Sequence, residues 1–151
     1  MTVITNIDDL RHLYRRRVPK MFHDYCESGS WTEQTFRDNS ADFAAIRLRQ
    51  KVAVDMSSRS IASMMLGQPV SMPVALAPVG MAGMNRADGE IHAARAAEAF
   101  GVPYTLSTMS ICSIEDVAAH VTKPFWFQLY VMRDRDFLAA IIERAKAAKC
   151  S

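Results

Sequence analysis

Apolar residues recur at helical spacing through the first part of the chain and gather into short continuous runs through the second. Ile7, Leu10, Leu13 and Tyr14 share one helical face. Asp8 and Asp9 lie in its first turn and Arg15, Arg16 and Arg17 in its last, an order that suits the helix dipole. Pro19 is placed to open a second helix and Gly29 to close it, with Met21, Phe22 and Tyr25 on a common face. Thr32 is expected to cap a third helix through Phe36 and Phe43, with Glu33 in its first turn. Between residues 52 and 70 the pattern is mixed and reads as a connecting segment with at most a short strand or helical turn.

The character changes at Met72. Val74-Ala75-Leu76-Ala77 is the continuous apolar run of a strand buried on both faces, ended by Pro78-Val79-Gly80. An Ala-rich helix follows from Gly89 to Phe100, closed by Gly101. Tyr104-Thr105-Leu106-Ser107 is a second strand. Ser113, with Asp116 three residues on, caps a helix from Ile114 to His120. Residues 125–131 form a third, aromatic strand, and residues 134–148 an amphipathic helix with Phe137, Ile141, Ile142 and Ala145 on one side. Three successive βα units predict an α/β fold with a parallel sheet. The expected division is residues 1–71, helical and connecting, and residues 72–151, the βα units. Such units begin an open doubly wound sheet or a closed eightfold barrel equally well, but no G-x-G-x-x-G follows the first strand and no Walker A motif occurs.

Composition narrows the classes. Half of the 151 residues are hydrophobic and the formal net charge is +2, which suits a packed core and argues against polyanion binding. No nucleic-acid partner is expected. No apolar run approaches the roughly 20 residues that span a bilayer, and no secretory signal is expected. Cys26, Cys112 and Cys150 are scattered and point to reduced thiols in a cytoplasmic setting. His12, His23, His92 and His120 have no zinc-ligand spacing, so no metal is expected. The three arginines at 15–17 either complement a helix end or form a patch for a membrane surface.

In parallel βα folds, ligands sit beyond the carboxyl ends of the strands. At Pro78 and Gly80 two readings stand, a strand break or a small residue that lets the backbone approach a flat ligand. Ser107 is either a turn former or a ligand contact. Gln128 is harder to read as filler, because a buried amide must find partners and suits a ring edge that both donates and accepts. Tyr130, in phase with Gln128, places a phenol near the same point.

Several stretches stand in an order that resembles the FMN-dependent α-hydroxy-acid dehydrogenases and oxidases. They are Pro19-Lys20-Met21 through Tyr25, Ser28-Gly29, Leu76-Ala77-Pro78-Val79-Gly80-Met81, Gly89-Glu90, Leu106-Ser107-Thr108, Ser113-Ile114-Glu115-Asp116-Val117 and Trp126-Phe127-Gln128-Leu129-Tyr130-Val131. The likeness is strongest to the bacterial flavin-type L-lactate dehydrogenases, across Met72 to Gly80 and Val131-Met132-Arg133-Asp134-Arg135. The resemblance implies the N-terminal part of a (β/α)8 TIM barrel preceded by helices, with FMN across the barrel mouth. It places Pro78, Val79 and Gly80 beside the reactive part of the flavin, Ser107 on the isoalloxazine and Gln128 on its pyrimidine edge. It assigns Tyr25 to the substrate carboxylate and Tyr130 to the substrate near its reacting carbon. The implied reaction is oxidation of a 2-hydroxy acid, L-lactate to pyruvate above all. A quinone or cytochrome is implied as electron acceptor, in a homo-oligomer, cytoplasmic or peripheral at the inner face of the plasma membrane.

That chemistry also needs a histidine base, arginines that clamp a carboxylate and a lysine near the flavin. The resemblance puts all of them on later strands, beyond Ser151, so no catalytic residue is expected within this chain. The chain stops at Lys149-Cys150-Ser151, where a fourth strand is due. The expectation is a partial product of a longer enzyme, with unpaired strand edges, marginal stability, no tightly bound FMN and no lactate oxidation of its own. The alternative is a non-catalytic half-barrel that binds no flavin or assembles with another chain.

Overall fold

Helix α1 (Ile7–Arg17) begins where the apolar period begins, because Asn6 accepts the Asp9 N–H at 2.9 Å while the Asp9 carboxylate takes the Asn6 N–H. The Thr5 backbone and hydroxyl donate to the same carboxylate and hold its pKa below the usual range. Helix α2 (Lys20–Glu27) follows Pro19 and stops at Ser28, ahead of Gly29. Tyr14 stacks on His23 with ring centroids 5.4 Å apart, and Arg11 pairs with Glu27, so α1 and α2 pack on each other.

The computed structural model describes residues 3–151. It forms two compact units, Met1–Arg59 and Ser60–Ser151. In the first unit, α3 (Gln34–Ala45) enters through Glu33 at φ +57°, so Thr32 is not its cap. The Glu33 side chain turns back to accept the Gly29 N–H at 3.1 Å. Gly29 serves close packing rather than helix closure, since a Cβ there would lie 2.7 Å from the Phe36 Cβ.

The second unit opens with a feature absent from the sequence reading, the antiparallel hairpin β1 (Ser63–Met65) and β2 (Gln68–Val70). Leu66 and Gly67 turn it at φ +47° and +79°, both left-handed as a two-residue primed turn requires. Val70 is buried, and the Ser71 N–H bonds the Gly101 carbonyl at 2.9 Å, so this hairpin belongs with the βα units.

The first parallel strand is reduced to one bridge, Leu76 to Tyr104. Pro78 has no N–H with which to extend a ladder. The other two, β3 (Thr105–Ser107) and β4 (Trp126–Gln128), pair in parallel with Ser107 opposite Gln128. The order Leu76, β3, β4 follows the chain. The Ser151 N–H donates to the Phe125 carbonyl at 3.0 Å, on the edge of β4 away from β3, since neighbouring residues present opposite edges.

The helices fall where local chemistry puts them. The short α4 (Ala82–Asn85) fills the first βα loop. Helix α5 (Gly89–Phe100) ends at Gly101, whose φ of +72° lets its N–H reach back to the Ala97 and Glu98 carbonyls. Helix α6 (Ile114–Ala119) carries the Ser113–Asp116 capping box, and α7 (Arg135–Ala147) is capped by Asp134 on the Phe137 N–H at 2.9 Å. Their inner faces meet the strands in one core that includes Ile91, Leu106, Val117, Phe125 and Ile141.

Candidate functional site

The carboxyl ends of the parallel strands are tied together by hydroxyl and amide groups. Ser107, only 3% exposed, donates from Oγ to Gln128 Oε1 over 3.3 Å and accepts the Met109 N–H at 3.0 Å. The Thr108 N–H reaches the backbone carbonyl of Gln128 at 3.1 Å and its side-chain oxygen at 3.4 Å. Thr108 Oγ1 donates to the same backbone carbonyl at 2.5 Å and accepts the Tyr130 N–H at 3.1 Å. The carbonyl of the Gln128 amide is therefore fixed, while its NH2 donates to no side chain or backbone among the described residues.

Gly80 stands against Met109 and Ser107. A Cβ on it would sit 3.3 Å from the Met109 Cβ and 4.0 Å from Ser107 Oγ, so the backbone approaches closely and leaves little room for a side chain. The Met81 N–H bonds the Met109 carbonyl at 2.8 Å and joins the first two strand-end loops. Met81 itself is left-handed at φ +56°, a strained conformation for its type.

Of the residues singled out in the sequence, Gly80, Ser107 and Gln128 converge. Tyr130 is linked to them through Thr108 and half exposed, and Pro78 and Val79 are exposed just before Gly80. Tyr25 lies on α2 in the other unit, 73% exposed. Thr108 is the residue that sequence reasoning missed. Its only signal was a second hydroxyl at a strand end, which reads equally well as a turn. No described histidine stands at a strand end: His12 and His23 lie on α1 and α2, His92 is exposed on α5, and His120 closes α6 with its ring bonded to the Asp116 carbonyl.

A cavity of about 570 Å3 opens at the opposite, amino ends of the strands, lined by Val70, Tyr104, Phe125, Glu98 and Lys123 among others. It contains none of the strand-end residues. Burial, then the nearby Glu90 charge, raises the Tyr104 pKa and keeps its phenol neutral.

The strand-end set suits a flavin. It offers a close-approach glycine backbone, an amide with unspent donors and an oriented carbonyl, and a buried hydroxyl, all at the carboxyl ends of the strands. These are complements for a flat ring whose edge both donates and accepts.

The family model of FMN-dependent dehydrogenases matches residues 14–151. The chain is 50% identical over 146 residues to the L-lactate dehydrogenase of Chromohalobacter salexigens, covering 97% of this chain and 37% of that protein. To the L-lactate dehydrogenase of Actinobacillus pleuropneumoniae it is 48% identical, covering 99% and 39%. Among solved structures, the monotopic membrane protein (S)-mandelate dehydrogenase superposes with a TM-score of 0.93 at 36% identity, covering 99% of this chain and 40% of that one. A soluble mutant of the membrane-associated enzyme from Pseudomonas putida gives 0.90 at 37% identity, covering 97% and 42%. The chain thus spans 37–39% of the length of these curated relatives. Its three βα units are those of an incomplete TIM barrel preceded by helices.

Proposed function

The chain belongs to the FMN-dependent dehydrogenase family, and from that premise we propose that these residues serve FMN-dependent oxidation of a 2-hydroxy acid, L-lactate to pyruvate. The observation that carries this reading is the Ser107–Gln128 pair at adjacent strand ends, with the Gln128 NH2 unspent and the Gly80 backbone close to Ser107 and Met109. Gln128 would bond the pyrimidine edge of the flavin, Ser107 the isoalloxazine, and residues 78–80 would lie along its reactive part. When bound, FMN supplies the two-electron acceptor that turns a hydroxyl carbon into a ketone. Tyr25 would hold the substrate carboxylate and Tyr130 would bond the substrate near its reacting carbon.

Lactate is favoured over mandelate because identity is higher to the lactate enzymes, 48–50%, than to the mandelate enzymes, 36–37%. The base that removes the hydroxyl proton and the arginines that clamp the carboxylate are assigned to no residue here, since no described histidine stands at the strand ends. The 151 residues alone are therefore expected to oxidise no lactate. The electron acceptor is a quinone or cytochrome. Peripheral membrane association is supported by the membrane-associated relatives, and no helix among the described residues is long and apolar enough to cross a bilayer.

The test is a chimera in which these residues replace the matching stretch of the Chromohalobacter salexigens enzyme. It is expected to reduce an artificial dye with L-lactate and far less with mandelate. A folded chimera that turns over mandelate but not lactate contradicts the substrate, and one that turns over neither contradicts the reading.

A further inference from the structure

The Gly89-Glu90 stretch has no part in the flavin floor, yet it holds the most deeply buried carboxylate of the chain. Glu90 is 0% exposed, on the inner face of α5 with Ile91, Ala94 and Ala97. A core-facing helix position ordinarily takes an apolar side chain, because a buried carboxylate is costly unless its oxygens are satisfied. Here one oxygen serves two loops at once. Glu90 Oε1 accepts the Gly83 N–H at 3.1 Å and the Ile111 N–H at 3.0 Å. Gly83 follows the first parallel strand and Ile111 follows β3. Glu90 Oε2 is buried without a backbone donor.

The surrounding chain is built tightly onto that carboxylate. A Cβ on Gly83 would lie 2.7 Å from the Ile111 Cβ and 3.2 Å from Glu90 Oε2, and a Cβ on Gly89 would lie 2.8 Å from the Ala82 carbonyl oxygen. Burial raises the Glu90 pKa, but the N–H groups of Ile111, of Glu90 itself and of Gly83, together with the Cys112 thiol, outweigh it and leave the group ionised. Such charge-assisted bonds to backbone N–H groups are stronger than neutral ones. Both loops carry the floor: Gly80 lies just before Gly83, Met109 just before Ile111, and Met81 and Met109 are themselves hydrogen-bonded.

We propose that Glu90 is a positioning residue whose carboxylate clasps the two loops through Gly83 and Ile111 and so sets the distance of the Gly80 backbone from Ser107 and Met109. Its meaning for catalysis rests on the flavin reading above, but the clasp itself does not. The measurement is residue-resolved amide hydrogen exchange on the 151-residue chain without flavin, comparing the parent with Glu90→Ala and Glu90→Gln. In Glu90→Ala, exchange at Gly83, Ile111 and Met81 should rise at least about tenfold over that at the core amides of Leu106 and Val117. Glu90→Gln keeps an acceptor oxygen and should restore most of the protection. The proposal is overturned if Gly83 and Ile111 exchange as in the parent. It is equally overturned if Leu106 and Val117 accelerate as much as the loops, or if glutamine rescues nothing. If exchange follows the expected pattern while the chimera takes up no flavin, the clasp stands and the flavin reading falls.

Discussion

Thr108 holds Gln128 by its backbone: the threonine hydroxyl lies 2.5 Å from the Gln128 carbonyl oxygen and accepts the Tyr130 N–H at 3.1 Å. One hydroxyl therefore sets the end of β4 against the end of β3, and fixes the direction in which the chain leaves towards Tyr130. The two hydroxyls divide the labour, Ser107 orienting the Gln128 side chain and Thr108 its main chain.

Thr108→Val keeps the shape and removes both bonds. The loss is expected to be about 1–2 kcal/mol of stability, because the Tyr130 N–H loses its acceptor. Urea unfolding measures it, and Thr108→Ser should recover most of the loss. Equal stability of the valine variant would mean that the hydroxyl does not hold β4.

Glu115 and Arg144 form a bidentate pair with both bonds at 2.7 Å, linking α6 to α7. Hydrogen bonding to Arg144 lowers the Glu115 pKa to about 2 from 4.5. A depressed carboxylate pKa contributes stability above its unfolded value, and that contribution is lost as pH falls from about 4.5 towards about 2. Both side chains are about half exposed, so solvent screening keeps the contribution below about 1 kcal/mol. The stability gap between the parent and Glu115→Gln should be present at neutral pH, shrink through that window and shrink with added salt. A gap that widens on acidification would contradict this.

Two glycines should fail for different reasons. Gly67→Ala meets nothing within 4 Å but must adopt φ +79°, which costs roughly 1–2 kcal/mol and loosens only the β1–β2 hairpin. Gly83→Ala must push Ile111 aside, which costs roughly 1–3 kcal/mol and disturbs the strand-end loops. Chemical shifts at Met64 and at Met109 separate the two outcomes. A Gly83→Ala protein with unchanged Met109 shifts would show that the packing yields without cost.

What was legible in the sequence was whatever is decided within a few residues. The Ser113–Asp116 box and the Gly101 stop follow from polar groups at fixed offsets, and the structure has both. The convergence of Ser107 and Gln128 was legible too, because parallel strands align their carboxyl ends. Features without a distinctive residue signature were not. The hairpin at residues 63–70 turns on Leu66-Gly67, without the usual Asn-Gly, and carries Pro69 in its second strand. Glu33 displaces Thr32 as cap because its side chain is drawn back to Gly29. A glutamate in the first turn of α5 reads as a complement to the helix dipole, and only the fold reveals that Glu90 faces the core between two loops.

Gln128, oriented by Ser107, is proposed to form part of a flavin floor. The most direct measurement is flavin retained per chain, read from visible absorbance after purification of the chimera with the Chromohalobacter salexigens enzyme. The parent chimera should carry FMN, and Gln128→Leu, which is similar in size but cannot hydrogen-bond, should lose at least about nine-tenths of it under dilute conditions, with an unchanged circular dichroism spectrum. Full flavin retention and an unshifted flavin spectrum in Gln128→Leu would contradict the account.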